Sequence, residues 1–281
     1  MRAFYRNTFL VVLAIIILIK ATPIPIKAFV TVFPSGGILG MDISKYQGNI
    51  DFNKAKQAGI KFAIIRAGYG VEPRPDEVDR RGKPLDQVDP MFYDNVIKAK
   101  QCGLPIGAYH YTYAKNVEEA VREAQFFIKI LSCENIPSCK SLIDPTTKQP
   151  KIKQKIQFEY PVAIDVEDPT LRSVDKETLT RAVSAFCDTM HSAGYHIIVY
   201  SSQYFMDKYL FMDKINCDGI WLASWKKEPH KHNCSCFCSI WQFCSDGQAG
   251  NFGANSKYID LNICYADYIS IIKNRGGNPN I

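Results

Sequence analysis

Histidine and tryptophan are scarce in this 281-residue chain, with five copies of the first and three of the second. His110 lies between two tyrosines, His191 and His196 flank a helix-to-strand turn, and His230 and His232 fall in a polar loop. None stands in a frame that would present it to a serine or cysteine, so a Ser-His-Asp or Cys-His centre has no support. A strong excess of one charge is also missing. Lys and Arg number 34 against 28 Asp and Glu, a formal net charge of +6 that falls to +2 without Arg2, Arg6, Lys20 and Lys27. So mild a balance gives no footing for nucleic-acid binding. Internal repeats are lacking, and no apolar run reaches the roughly 20 residues that a membrane-crossing helix requires.

One shorter apolar run, Phe9 to Ile19, follows Arg2 and Arg6 and stops at Lys20. That is the outline of a secretory leader. Residues 1–28 are expected to be removed on export, with the cut placed approximately at Ala28, leaving a secreted, monomeric protein without stable membrane insertion. Ten cysteines suit the same oxidising destination. Cys133 and Cys139 bracket a short loop, Cys234, Cys236, Cys238 and Cys244 crowd together, and Cys102, Cys187, Cys217 and Cys264 are scattered. The crowded four lack the paired C-x2-C knuckles of structural zinc, which favours disulfides over a metal. Asn233-Cys234-Ser235 is a formal glycosylation triplet of a kind that arises by chance.

Beyond the leader, short apolar runs alternate with longer helical patterns, as in parallel strands joined by crossover helices. Strands are expected at Ile38 to Ser44, Phe62 to Ala67, Pro105 to Tyr111, Val162 to Asp165, His196 to Tyr200, Gly219 to Ala223, Ile240 to Phe243 and Tyr258 to Asp260. Helical spacing runs over Asp51 to Ala58, Pro90 to Gln101, Val117 to Leu131, Asp175 to Ala193 and Ser202 to Tyr209. Gly59, Gly103 and Gly194 mark three helix ends. The fold class is therefore α/β, an irregular (β/α) TIM-like barrel forming a single catalytic domain over 38–275. Stretches 72–87 and 138–157 read as surface insertions, and the tail after Lys273 as unstructured.

In such a barrel the working end is where strands finish, because the loops there vary without disturbing the packed interior. Four carboxylates close apolar runs: Asp42, Asp165, Glu167 and Asp260. Strand alternation puts Asp165 and Glu167 on one face with Ala163, while Val162, Ile164 and Val166 face the helices. Crowded, poorly solvated carboxyls hold their protons, which yields a proton donor at neutral pH. Glycoside cleavage needs that donor together with nearby negative charge. Glu167, the longer side chain, is assigned as the acid. The backbone spacing of about 6.6 Å falls between the retaining and inverting separations, so it does not choose the stereochemistry. Asp168, Asp144 and the group from Asp76 to Asp89 are read as loop acids, with Asp89 and Asp94 serving a helix start. Tyr69, Tyr109, Tyr111, Tyr200 and Trp225 lie at the same end and suit stacking on sugar faces.

The ordered motifs Gly40-Met-Asp-Ile-Ser-Lys-Tyr-Gln-Gly48, Phe62-Ala-Ile-Ile-Arg-Ala-Gly-Tyr-Gly70, Gly107-Ala-Tyr-His-Tyr111 and Ala163-Ile-Asp-Val-Glu167 resemble glycoside hydrolase family 25, the Chalaropsis-type lysozymes. Trp221-Leu-Ala-Ser-Trp225, Ile240-Trp-Gln-Phe243 and Ile259-Asp-Leu-Asn262 continue the resemblance, which spans about Leu39 to Tyr265. It implies an irregular barrel that cleaves the β-1,4 bond between N-acetylmuramic acid and N-acetylglucosamine in peptidoglycan, without a metal or organic cofactor. It also implies Asp42, Asp165, Glu167 and Asp260 as the acidic cluster, with Glu167 as acid/base and net retention. Of the two retaining routes, assistance by the substrate's acetamido group, oriented by Asp165, is preferred to a carboxylate nucleophile. The alternatives are a chitinase-like hydrolase, separable by soluble chitin oligomers, and a non-catalytic glycan-binding barrel, which would need no proton donor.

Overall fold

The computed structural model describes residues 37–82, 85–134, 136–142, 146, 157–225 and 238–279. Outside them fall the leader, Cys234, Cys236, the Asn233 triplet, His230, His232, Asp144 and most of the 138–157 insertion. Among the described residues eight strands close a barrel in chain order. They are β1 (Ile38–Ile43), β2 (Phe62–Tyr69), β3 (Ile106–Tyr111), β4 (Val162–Asp165), β5 (Ile197–Ser202), β6 (Ile220–Ala223), β7 (Cys238–Gln248) and β8 (Tyr258–Cys264). Helices α1 (Phe52–Gln57), α2 (Phe92–Gln101), α3 (Val117–Ser132), α4 (Lys176–Ser192), α5 (Gln203–Tyr209) and α6 (Tyr268–Asn274) accompany them. No helix among the described residues is long and apolar enough to cross a membrane.

The helix signals act as their chemistry requires. Asp51, Asn116, Asp175 and Ser202 each accept a main-chain N–H of the first turn at the starts of α1, α3, α4 and α5. Gly59, Gly103 and Gly194 take positive φ just beyond α1, α2 and α4, where a side chain would be strained. Two apolar layers result. Val162, Ile164 and Val166 pack outward with the helices, whereas Ala163 joins Tyr109, Tyr200 and Trp221 inside the barrel. The expected alternation of β4 is thus present.

Two expectations are corrected. The sheet is not wholly parallel: β8 runs antiparallel to both β7 and β1. Only a short 3-10 turn, Ala249–Phe252, lies between β7 and β8, and a link that short leaves no room for the crossover a parallel neighbour needs. Asp260 accordingly sits near the start of its strand, yet reversal brings it to the end where the parallel strands finish. That turn is clamped to the start of α1 by Asp51 N–H donating to Gly253 O at 2.8 Å. A Cβ on Gly253 would meet Asp51 O at 2.3 Å.

The second correction concerns the tail, which continues into α6 and then packs. Asn278 is buried; it accepts from His196 N–H at 2.7 Å and donates to Phe158 O at 3.0 Å and Tyr160 O at 3.3 Å. Sequence periodicity carries no trace of such a contact. One disulfide, Cys133–Cys139, is present among the described residues. Asn278→Ala would strand three main-chain groups away from water, and a loss of about 2–3 kcal/mol in urea unfolding is expected. Unchanged stability would show that the tail is not held this way.

Candidate active site

The strand ends bring the four predicted acids together. Asp42 on β1 is the register partner of Asp260 on β8, and like charges facing each other across a strand pair repel. Asp165 closes β4, and Val166 N–H still donates to Tyr200 O at 2.9 Å. Main-chain pairing therefore continues past the strand end and keeps Glu167 on the same side as Asp165. Each acid senses others in the group: Asp165 feels Glu167 and Asp42, and Asp260 feels Asp42 and Glu167.

Burial holds all four above the usual carboxylate range, and the charges of neighbouring acids raise Asp165, Glu167 and Asp260 further. They are not equivalent. Trp221 Nε1 donates to Asn262 Oδ1 at 2.7 Å, which turns the amide so that Asn262 Nδ2 donates to Asp42 at 2.7 Å. Tyr200 OH, at 3.1 Å, and Trp225 Nε1, at 3.4 Å, likewise donate to Gln242 Oε1, leaving Gln242 Nε2 to donate to Asp42 at 3.0 Å. Asp42 thus receives two oriented amide donors and is pushed up only to about 6. Asp260, which lacks that support and is hydrogen-bonded to Asp42, rises to about 8. At neutral pH the pair is a carboxylate and a carboxylic acid sharing one proton.

Asp165 is buried and raised well above its ordinary value, by burial first and then by Glu167 and Asp42, with Arg66 opposing. Its Oδ1 has no hydrogen-bond partner among the described residues. Glu167 is raised by burial and by the charges of Asp42 and Asp168, with the Tyr200 hydroxyl in hydrogen-bonding reach pulling the other way.

The loop acids have more than one task. Asp168 accepts from Thr170 N–H at 2.8 Å and from Tyr111 OH at 3.0 Å, and these bonds hold it below the usual range despite some burial. It is the ionised wall of the cleft beside Glu167. Asp89 does serve the start of α2, accepting Met91 N–H at 2.9 Å, but it also binds Arg66 through Nε and a second nitrogen at 2.8 Å each. Arg66, Gln242 and Asn262 were not singled out from the sequence. Asn262 carries a signal, being two residues beyond Asp260 on the same strand face, whereas the Arg66–Asp89 pair spans loops of no fixed length.

The aromatic residues divide by depth. Tyr109 and Tyr200 are buried beneath the acids with their rings against Trp221, at centroid distances of 5.9 and 4.5 Å. Their faces are already covered, so Tyr200 contributes its hydroxyl rather than a stacking surface. Tyr69 and Tyr111 are half-buried at the rim, and Trp225 is 66% exposed. Tyr46, 69% exposed, and Tyr113 join that rim, and neither is set apart by strand or helix periodicity. His110 faces outward as expected: Nε2 donates to Gly70 O at 2.9 Å, and burial lowers its pKa to about 3.

Residues 41–252 match the family model described as "Glycosyl hydrolases family 25". An "Autolytic lysozyme" of Clostridium acetobutylicum is 25% identical over 246 residues, covering 86% of this chain and 62% of that protein. The chain spans between 26% and 62% of the length of the curated relatives it matches. A modular autolysin of Streptococcus pneumoniae, solved with a synthetic peptidoglycan ligand, superposes with a TM-score of 0.62 at 22% identity, over 83% of this chain and 48% of that one. A family 25 glycosyl hydrolase of Bacillus anthracis does so with 0.59 at 23% identity, over 86% and 94%. These likenesses show the same barrel.

The acid pair sets a pH dependence. An unfolded Asp260 titrates near 3.8 and the folded one near 8. Between those values the folded chain holds a proton that the unfolded chain has shed, so stability falls as pH rises through that window. Asp260→Asn keeps the hydrogen bond to Asp42 without the titration. The substitution is expected to raise the melting temperature at pH 8.5 by about 2–4 °C or more and to change little at pH 4. A shift independent of pH in calorimetry would contradict the shared proton.

Proposed function

This chain belongs to glycosyl hydrolases family 25, and we propose that it is a secreted muramidase, cutting the β-1,4 bond between N-acetylmuramic acid and N-acetylglucosamine in peptidoglycan. The observation that carries the reading is the gathering of Asp42, Asp165, Glu167 and Asp260 in one pocket, where burial raises every one of them. A binding module has no use for so costly an arrangement, since desolvated like charges weaken a fold unless chemistry needs the protons.

Glu167 is the general acid/base. It protonates the glycosidic oxygen as the bond to the anomeric carbon breaks, and then takes a proton from the water that completes hydrolysis. Asp165 offers its unpartnered Oδ1 to the substrate's acetamido N–H. With that bond made, the acetamido oxygen attacks the anomeric carbon, and the positive charge that develops on the resulting ring lowers the raised pKa of Asp165, which gives up its proton to solvent and faces the ring as a carboxylate. Opening of that ring by water gives net retention. Asp42, fixed by Gln242 and Asn262, supplies the negative charge that keeps the neighbouring protons in place, and Asp260 shares its proton. Tyr69, Tyr111 and Trp225 form the rim along which a glycan strand lies. Residues 1–28 direct export and are removed, 38–275 make up the catalytic barrel, and the mature protein works outside the cell as a monomer.

Glu167→Gln removes the proton while preserving shape. Clearing of a wall suspension by the purified variant is expected to slow about 10²–10⁴-fold with an unchanged circular dichroism spectrum. Mass analysis of wild-type products should find reducing ends on N-acetylmuramic acid. Undiminished clearing, or reducing ends on N-acetylglucosamine, would overturn the assignment.

A further inference from the structure

We propose that Lys45 sets the charge preference of the cleft, its ammonium receiving a carboxylate carried on a substituent of the bound sugar. The proposal rests on the muramidase reading and deepens it, naming glycans with acidic substituents as the preferred substrates. Lys45 Nζ lies 5.3 Å from the ring centre of Tyr46 and 5.9 Å from that of Tyr69. The Arg66 guanidinium lies 5.1 and 6.0 Å from the same two rings. Two cations and two aromatic faces therefore form one cluster.

The two cations differ in availability. Arg66 is gripped by Asp89 through two 2.8 Å contacts and its side chain is only 11% exposed, so its charge is balanced inside the wall. Lys45 and Tyr46 are exposed. The Lys45 main chain is fixed, because its N–H donates to Asp89 Oδ2 at 3.0 Å, which ties the loop to the same ion pair. Position places this cluster at the cleft. Lys45 follows Asp42 by three residues, just beyond β1, and Tyr69 closes β2, while Arg66 is the cation that opposes the raised pKa of Asp165.

The acids impose the need for such a device. A substrate that carries carboxylates is repelled by the ionised Asp42 and Asp168 unless its own charge lands on a cation. Peptidoglycan has carboxylates on the stem peptides of alternate sugars, or on the lactyl ether where no peptide is attached, whereas chitin-like glycans have none. The Tyr46 and Tyr69 faces offer a surface for the sugar ring or lactyl methyl, and Lys45 stands over both.

The test compares a peptidoglycan tetrasaccharide bearing stem peptides with free carboxylates against the same compound with those carboxylates amidated. At low ionic strength the wild-type protein is expected to favour the acidic form in kcat/KM by about fivefold. Lys45→Met should lose that factor on the acidic form alone, and Lys45→Arg should keep it. Raising salt to about 0.5 M should erase the preference. An unchanged ratio in Lys45→Met, or an equal fall on both forms, would overturn the role of Lys45 while leaving the muramidase reading intact. Failure of the wild-type protein to cut either form would overturn that reading, and this proposal with it.

Discussion

Four carboxyl groups held out of water at one end of a barrel repel one another, and the rest of the structure is arranged around that repulsion. Asp42 is the fixed point. Two amides turned by indole and phenol donors give it the hydrogen bonds that an anion needs, so the negative charge settles there and protons settle on its neighbours. Asp260 rises further than Asp42 although it is less buried, because a carboxyl beside an anchored anion keeps its proton. The same field reaches Asp165 and Glu167. Burial first, and then the charge of Asp42, hold the proton on Glu167.

That arrangement depends on a change of direction in the sheet. A uniformly parallel barrel would carry Asp260, the third residue of its strand, to the end opposite Asp42. Because β7 and β8 form a hairpin, the start of β8 lies where β1 finishes, and Asp42 and Asp260 become register partners. The interior beneath them is filled by Trp221, Tyr109 and Tyr200, and the Trp221 indole and Tyr200 hydroxyl orient the amides. Packing and electrostatics are therefore one set of side chains, and a core substitution at Trp221 would disturb the charge pattern as well as the volume.

Much of this was legible in the sequence because it depends on local rules. Strand alternation placed Asp165, Glu167 and Ala163 on one face, and the helical spacing of apolar residues, with glycines at three of the ends, located five helices to within a few residues. The ordered motifs carried the family. What the sequence hid depends on contacts between distant segments. The reversal of β8 follows from a connection whose brevity is plain only once the strand ends are known. Asn278 and the Arg66–Asp89 pair join segments with no shared period. Tyr109 and Tyr200 were read as sugar platforms from their place near strand ends, but both are buried with their rings against Trp221, which comes from another strand.

The most direct measurement is a carbon-13 titration of the Asp and Glu carboxyl groups by NMR in the folded protein. Asp42 should ionise near 6 and Asp260 near 8, with Glu167 and Asp165 titrating above ordinary carboxylates and each curve shifting when Asp42 is replaced by Asn. Four independent titrations near pH 4 would contradict the account, since carboxyls that ionise freely share no pocket and leave no proton to donate.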